Sequence, residues 1–122
     1  LNIVSAVNYA TTMGAKIINA SFGGGGYSQA MFDAVQRANR SGVLFVAAAG
    51  NNGRNTDFQP QFPAAYNLPN VISVAATDRF DQRANFSNYG RNTVDLGAPG
   101  VDVVSTLPNN RYGSLDGTSM AA

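Results

Sequence analysis

Apolar residues near the start of the chain, Ile3, Val4, Val7, Ala10 and Met13, recur close to helical spacing, and Gly14 follows where helices commonly end. The pattern predicts a helix from Ile3 to Met13. Lys16 to Ala20 is short, with Ile17 and Ile18 side by side, which suits a strand buried on both faces. After Ser21-Phe22-Gly23 and the rest of a four-glycine run, Ser28 can cap a second helix. Its apolar face is Met31, Phe32, Ala34, Val35 and Ala38, and Gly42 closes it. Val43 to Ala49 is a continuous apolar run of strand length. Strand, helix and strand joined by short links imply parallel pairing through a right-handed crossover.

Gly50-Asn51-Asn52-Gly53 ends that second strand, and Arg54 to Pro69, polar, aromatic and proline-bearing, reads as a long surface loop. Val71 to Ala75 is a third strand. Turn-rich sequence follows, with extended pieces at Ala84 to Ser87, Thr93 to Leu96 and Val101 to Thr106, then a turn at Leu107 to Asn110 before Tyr112 to Leu115. No internal repeat or interdomain linker interrupts the chain. The expected fold class is α/β, an open parallel sheet with flanking helices.

Composition narrows the classes further. Of 122 residues, 44% are hydrophobic and 12% charged, enough to build a core and too apolar for disorder. A net charge of +1 without runs of like charge points to neither a nucleic-acid nor a membrane partner. With no cysteine, disulfides and thiolate metal sites are excluded. No apolar run approaches the roughly 18 residues of a membrane span, and no signal peptide opens the sequence. Leu1 reads as opening within a helix and the last residues as starting another, so both ends look cut.

The chemistry concentrates in Gly117-Thr118-Ser119-Met120-Ala121-Ala122. Glycine allows a tight turn, and a serine at a helix start meets unpaired N–H groups and a positive dipole end that favour developing negative charge. The plainer reading makes Thr118 or Ser119 an N-cap. Ser21-Phe22-Gly23 and Ala49-Gly50-Asn51 both leave the carboxyl ends of predicted neighbouring strands, where open parallel sheets bind ligands. Asn51 can donate its amide to an oxyanion, or form a turn, a role that Asn52-Gly53 suits better. Small residues on that rim let a peptide backbone approach by strand addition.

Gly117 to Ala121 resembles the nucleophile motif of the subtilisin-like serine proteases. Ile17-Ile18-Asn19-Ala20-Ser21-Phe22-Gly23-Gly24 and Val46-Ala47-Ala48-Ala49-Gly50-Asn51-Asn52-Gly53 resemble two further segments of that family in the expected order, with weaker echoes at Gln82 to Ser87 and Ala98-Pro99-Gly100. The resemblance implies a partial subtilisin-like doubly wound parallel sheet, with residues 1–122 a single incomplete peptidase domain. It makes Ser119 the nucleophile and Asn51 the oxyanion donor. It assigns the acyl side of a peptide or protein substrate to Ser21, Phe22 and Gly23, and the primary specificity pocket to Ala48, Ala49 and Gly50. Phe22 stands where leucine is common in the family, and Gln61 lies near the expected base of the pocket.

The resemblance requires no cofactor for the chemistry. It implies a structural calcium held by Asp95 with backbone oxygens near Ala64 and Tyr66, although a solvated loop aspartate is the plainer account of Asp95. It also implies a secreted or extracytoplasmic protein.

Histidine is absent from the sequence, and a serine nucleophile ordinarily needs one as its base. In the family the catalytic aspartate and histidine precede the serine. An upstream part of the same core is therefore an expected partner, and the chain alone is expected to be inactive. Two rivals are a noncatalytic peptide-binding homologue and, from Gly23 to Gly26, a nucleotide-binding α/β module, though no P-loop lysine follows those glycines.

Overall fold

The computed structural model describes residues 2–122. Helix α1 runs Ile3–Thr12, with the Asn2 side chain accepting the Val4 N–H as N-cap, so the helix starts at Ile3 and the expectation about Leu1 lies outside the described residues. Strand β1 is Ile17–Ala20. Helix α2 is Gln29–Arg40, where Ser28 Oγ accepts the Met31 N–H as expected of a cap. Strands β2 (Leu44–Ala48), β3 (Val71–Thr77) and β4 (Leu96–Pro99) follow, then β5 (Val103–Leu107), β6 (Arg111–Leu115) and helix α3 (Thr118–Ala121).

The four strands β1-β2-β3-β4 lie in that order, every pair parallel. Their register sorts side chains by face, because neighbours along a strand point to opposite sides. Ala20, Phe45 and Ala47 share one face and form a core with Val7 of α1 and Ala34 and Val35 of α2. Phe45, Ala20, Ala34, Ala47 and Val35 are each 0% exposed. On the other face, Ala76 sits under Gly100 beside Ala121 of α3, so helices flank both sides. The parallel sheet with flanking helices is what the apolar runs predict, and the doubly wound form is what the family resemblance implies. Among the described residues no helix is long and apolar enough to cross a membrane.

Four expectations change. Ile17 is 62% exposed, so β1 is not buried on both faces: among the described residues it pairs with β2 alone, and Ile17, Leu44 and Leu96 lie on a face that is open at that end. Arg54 to Pro69 is not simply a surface loop, because Thr56, Ala64 and Tyr66 are buried. Tyr66 packs in an aromatic cluster with Tyr27, Phe32 and Phe62, which gives a polar-looking stretch its own apolar anchor. Ala84 to Ser87 is a turn rather than a strand, and the second extended piece, expected at Thr93 to Leu96, sits later, as β4 at Leu96–Pro99. The last two strands form an antiparallel hairpin whose turn is closed by Asn109 and Asn110 at positive φ (66° and 54°), a conformation asparagine tolerates.

Candidate active site

The carboxyl ends of β1 and β2 lead into Ser21 to Gly23 and Ala49 to Asn51, and the start of α3 is hydrogen-bonded to both segments. Ser119 Oγ donates to the Ser21 carbonyl at 2.9 Å, and Ser21 Oγ donates back to the Ser119 carbonyl at 2.7 Å. Asn19, on β1, places its Oδ1 2.7 Å from the same Ser21 hydroxyl, whose one proton is shared between the two acceptors, and its Nδ2 donates to the Ala122 carbonyl at 3.0 Å. The Ser119 turn is thus tied to the end of β1 by side chains about a hundred positions away. Neither Thr118 nor Ser119 caps the helix: Gly117 occupies the N-cap position and contributes no side chain.

Thr118, 0% exposed, faces the other strand end. Its backbone N–H and its hydroxyl both reach Asn51 Oδ1 at 2.9 Å, while Thr118 Oγ1 accepts the Gly50 N–H at 3.1 Å. A backbone N–H can only donate, so the atom of Asn51 facing Thr118 must be the amide oxygen. The Asn51 Nδ2 group is thereby left as a donor on the exposed side.

Ser119, Asn51, Phe22, Gly23, Ala48 and Gly50 line one open cleft of about 320 Å³, with Gln61 completing it. Ser21 and Ala49 stand behind its wall. Ser21 holds the Ser119 turn, and Ala49, 1% exposed, accepts from Asn88 Nδ2 through its carbonyl. Beyond Phe22 lies a second, largely apolar cavity of about 250 Å³ between Ile3, Met31, Phe62 and Tyr66. Burial raises the Tyr66 phenol above its ordinary value, against the hydrogen bond its hydroxyl donates to the Ser28 carbonyl at 2.9 Å.

Asp95 borders a different cavity of about 430 Å³, lined also by Ala64, Tyr66, Asn67 and Thr93. Its Oδ2 accepts the Ser73 N–H at 2.7 Å, and its second carboxylate oxygen takes no hydrogen bond among the described residues. Among the described residues no three acidic, histidine or cysteine side chains gather as a metal cluster.

Residue-by-residue reading singled out Ser119 and Asn51 but missed two groups that set their orientation. Thr118 was visible only as a capping option, since nothing local announces a partner 67 positions earlier. Asn88, 1% exposed, carried no signal at all. Its Oδ1 accepts the Asn52 and Arg54 N–H groups and its Nδ2 reaches Ala49 and Gln61, which holds the loop after β2 in place.

A serine hydroxyl and a fixed amide donor sharing one cleft at the carboxyl rim of a parallel sheet define a site of the serine hydrolase class. The model described as the Subtilase family matches residues 1–122, and the chain belongs to that family of serine proteases. It is 48% identical to a thermophilic serine proteinase of Bacillus sp. (strain AK1), over 99% of this chain and 29% of that protein. It is 46% identical to subtilisin DY of Bacillus licheniformis, over 98% of this chain and 43% of that one. Among solved structures, a cold adapted subtilisin-like serine proteinase superposes with a TM-score of 0.86 at 38% identity, over 98% of this chain and 42% of that one. The chain therefore spans less than half the length of each of these relatives.

Proposed function

We propose that residues 1–122 are one incomplete peptidase domain, the carboxyl-side part of a serine endopeptidase core that acts once a segment bearing aspartate and histidine joins it. In the first step Ser119 Oγ bonds to the scissile carbonyl carbon as its proton passes to the incoming imidazole. The carbonyl π bond opens to an oxyanion, which Asn51 Nδ2 stabilises by donating to it. Collapse of that intermediate expels the amine, which takes the proton from the imidazole and leaves an acyl-serine for water to hydrolyse. A hydrogen bond to a charged oxygen is stronger than one to a neutral carbonyl, so the Asn51 amide favours the oxyanion over the bound substrate.

The single observation that carries this reading is the pair of Thr118 donors on Asn51 Oδ1, which turns the opposite end of the amide toward the cleft that Ser119 lines. A polar turn residue would need no such double anchor. The peptide's acyl side would pair with Ser21 to Gly23, its primary side chain entering the cleft walled by Ala48 and Gly50 and an apolar side chain farther along occupying the cavity beyond Phe22.

The free edge of β1 and the exposed Ile17, Leu44 and Leu96 are where the remaining core would pack. An extracytoplasmic location belongs to the same proposal and rests on family resemblance. A structural cation is also part of it. Hard cations take oxygen ligands, and Asp95 borders a cavity lined also by Ala64 and Tyr66, with one carboxylate oxygen that takes no hydrogen bond among the described residues; backbone oxygens near Ala64 and Tyr66 would complete a weak calcium site.

The test is fluorophosphonate labelling of the chain alone and after mixing with an upstream piece holding aspartate and histidine. In a subtilisin, loss of the serine or histidine costs about 2 × 10⁶ in turnover, so the lone chain should remain unlabelled. Labelling of Ser119 on mixing supports the proposal, and strong labelling of the lone chain refutes the need for an outside base. Failure to label on mixing, with peptide binding retained, favours the noncatalytic homologue, a reading that the absence of histidine keeps open.

A further inference from the structure

Resting on the protease reading above, we propose that Gly100 is a positioning residue for the reaction: its lack of a side chain seats the Ser119 turn on the sheet at the height where nucleophile and oxyanion donor meet one carbonyl. Gly100 is buried and directly follows β4. Its N–H donates to the Thr77 carbonyl at 2.9 Å, continuing the pairing of β3 with β4, and its own carbonyl accepts the Gly117 N–H at 2.8 Å. A single peptide unit therefore separates the sheet from the residue that opens α3.

Conformation does not require glycine at this point, because φ at Gly100 is not positive and any residue could adopt that backbone. Space does. A β-carbon at position 100 would lie 2.6 Å from Ala76 Cβ, 2.7 Å from the Gly117 carbonyl oxygen and 3.2 Å from Ala121 Cβ. Ala76 is 0% exposed within β3, and the strand end is tied to Thr77, so the close-packed sheet side does not yield. The Gly117 turn must move instead. Widening the approach from 2.7 Å to an ordinary contact of 3.4 Å shifts the Gly117 carbonyl by about 0.7 Å.

Gly117 immediately precedes Thr118, whose N–H and hydroxyl hold Asn51 Oδ1 at 2.9 Å, and stands two residues before Ser119. Asn51 Nδ2 lies 3.7 Å from where a Gly117 β-carbon would be. Lifting this turn therefore changes the spacing between the Ser119 hydroxyl and the amide that serves the same carbonyl, and such spacing sets the rate of an oriented reaction. Ser21 to Gly23 and the wall at Ala48 and Gly50, where a peptide would pair, are carried by β1 and β2, neither of which pairs with β4. The loss should fall on kcat rather than on KM.

The test uses the protease formed by this chain with its aspartate- and histidine-bearing segment. Gly100→Ala should lower kcat about ten- to a hundredfold, as a misplacement approaching 1 Å does, with KM within about twofold of the parent. Adding Ala76→Gly removes the overlap on the sheet side and leaves the one with the Gly117 carbonyl. The melting temperature of this double variant should match that of Ala76→Gly alone, while its kcat stays about threefold or more below that of Ala76→Gly. A glycine that serves stability only would regain kcat together with melting temperature. That joint recovery, a parental kcat in a folded Gly100→Ala protease, or a change confined to KM would overturn the role of Gly100 and leave the protease reading standing. Should Gly100→Ala not fold, the double variant set against Ala76→Gly decides by itself. Absence of turnover in the unaltered protease would instead remove the protease reading, and this proposal with it.

Discussion

Thr118→Val is the most searching perturbation of the site, because valine keeps the shape of threonine and removes only its hydroxyl. Two hydrogen bonds go: the one donated to Asn51 Oδ1 at 2.9 Å and the one accepted from the Gly50 N–H at 3.1 Å. The first contributes about 0.5–1.5 kcal/mol net, and stranding the Gly50 N–H costs about 1–3 kcal/mol when fully buried. Gly50 is only half-buried, so the lower part of that range applies, and the sum is about 2 kcal/mol. Denaturant unfolding of the complemented protease should show that loss as a lower midpoint with an unchanged slope.

Activity should respond differently. Thr118 N–H still holds Asn51 Oδ1, so the amide keeps its direction but is less firmly fixed. We expect kcat to fall about tenfold, the worth of roughly one hydrogen bond, with KM unaltered, because the oxyanion exists only in the transition state. Thr118→Ser, which retains the hydroxyl, should recover most of both losses. A Thr118→Val protein that matches the parent in midpoint and kcat, or one that loses only KM, would refute the assignment of Thr118 as the anchor of Asn51.

Asn51→Leu should lower kcat by about 10²–10³ with KM little changed, a magnitude taken from the equivalent loss in a subtilisin rather than worked from this structure. Gly50→Ala combines a φ of +104° with a β-carbon driven into Gln61 and Asn88, so it should destabilise by about 1–3 kcal/mol or more, read from thermal melting. The Thr93 hydroxyl is the largest influence on the Asp57 carboxyl; desolvation, next in size, pushes it up, and the backbone N–H groups of Asn92 and Arg91 add to the downward pull, so the carboxyl is held below its ordinary value. The folded form therefore binds this proton less tightly than the unfolded chain. Its stabilising effect is complete above about pH 4 and fades as pH falls through the lowered native value. Unfolding midpoints of the parent and Asp57→Asn should converge in acid, and a gap that persists there would contradict the assignment. Removing divalent cations with a chelator should lower the melting temperature of the parent more than that of Asp95→Asn, whereas equal shifts would dismiss the proposed cation.

Much of the frame was legible along the chain because its determinants are local. Ser28 caps α2, the run from Val43 to Ala49 contains β2, and a helix between two apolar strands leaves parallel pairing as the short-linked solution. The motifs around Ser21, Asn51 and Ser119 were legible for the same reason, each being a few consecutive residues at a strand or helix end. The Arg54 to Pro69 stretch was misjudged because its burial depends on an aromatic cluster assembled from α2 and the segment before it.

What the amino-acid order determined alone was the α/β alternation, the candidate nucleophile and the lack of any histidine to serve it. Only the folded chain decided which way the Asn51 and Gln61 amides point. A side-chain amide is chemically two-ended, and its direction is set by donors and acceptors that Thr118 and Asn88 bring from distant parts of the sequence.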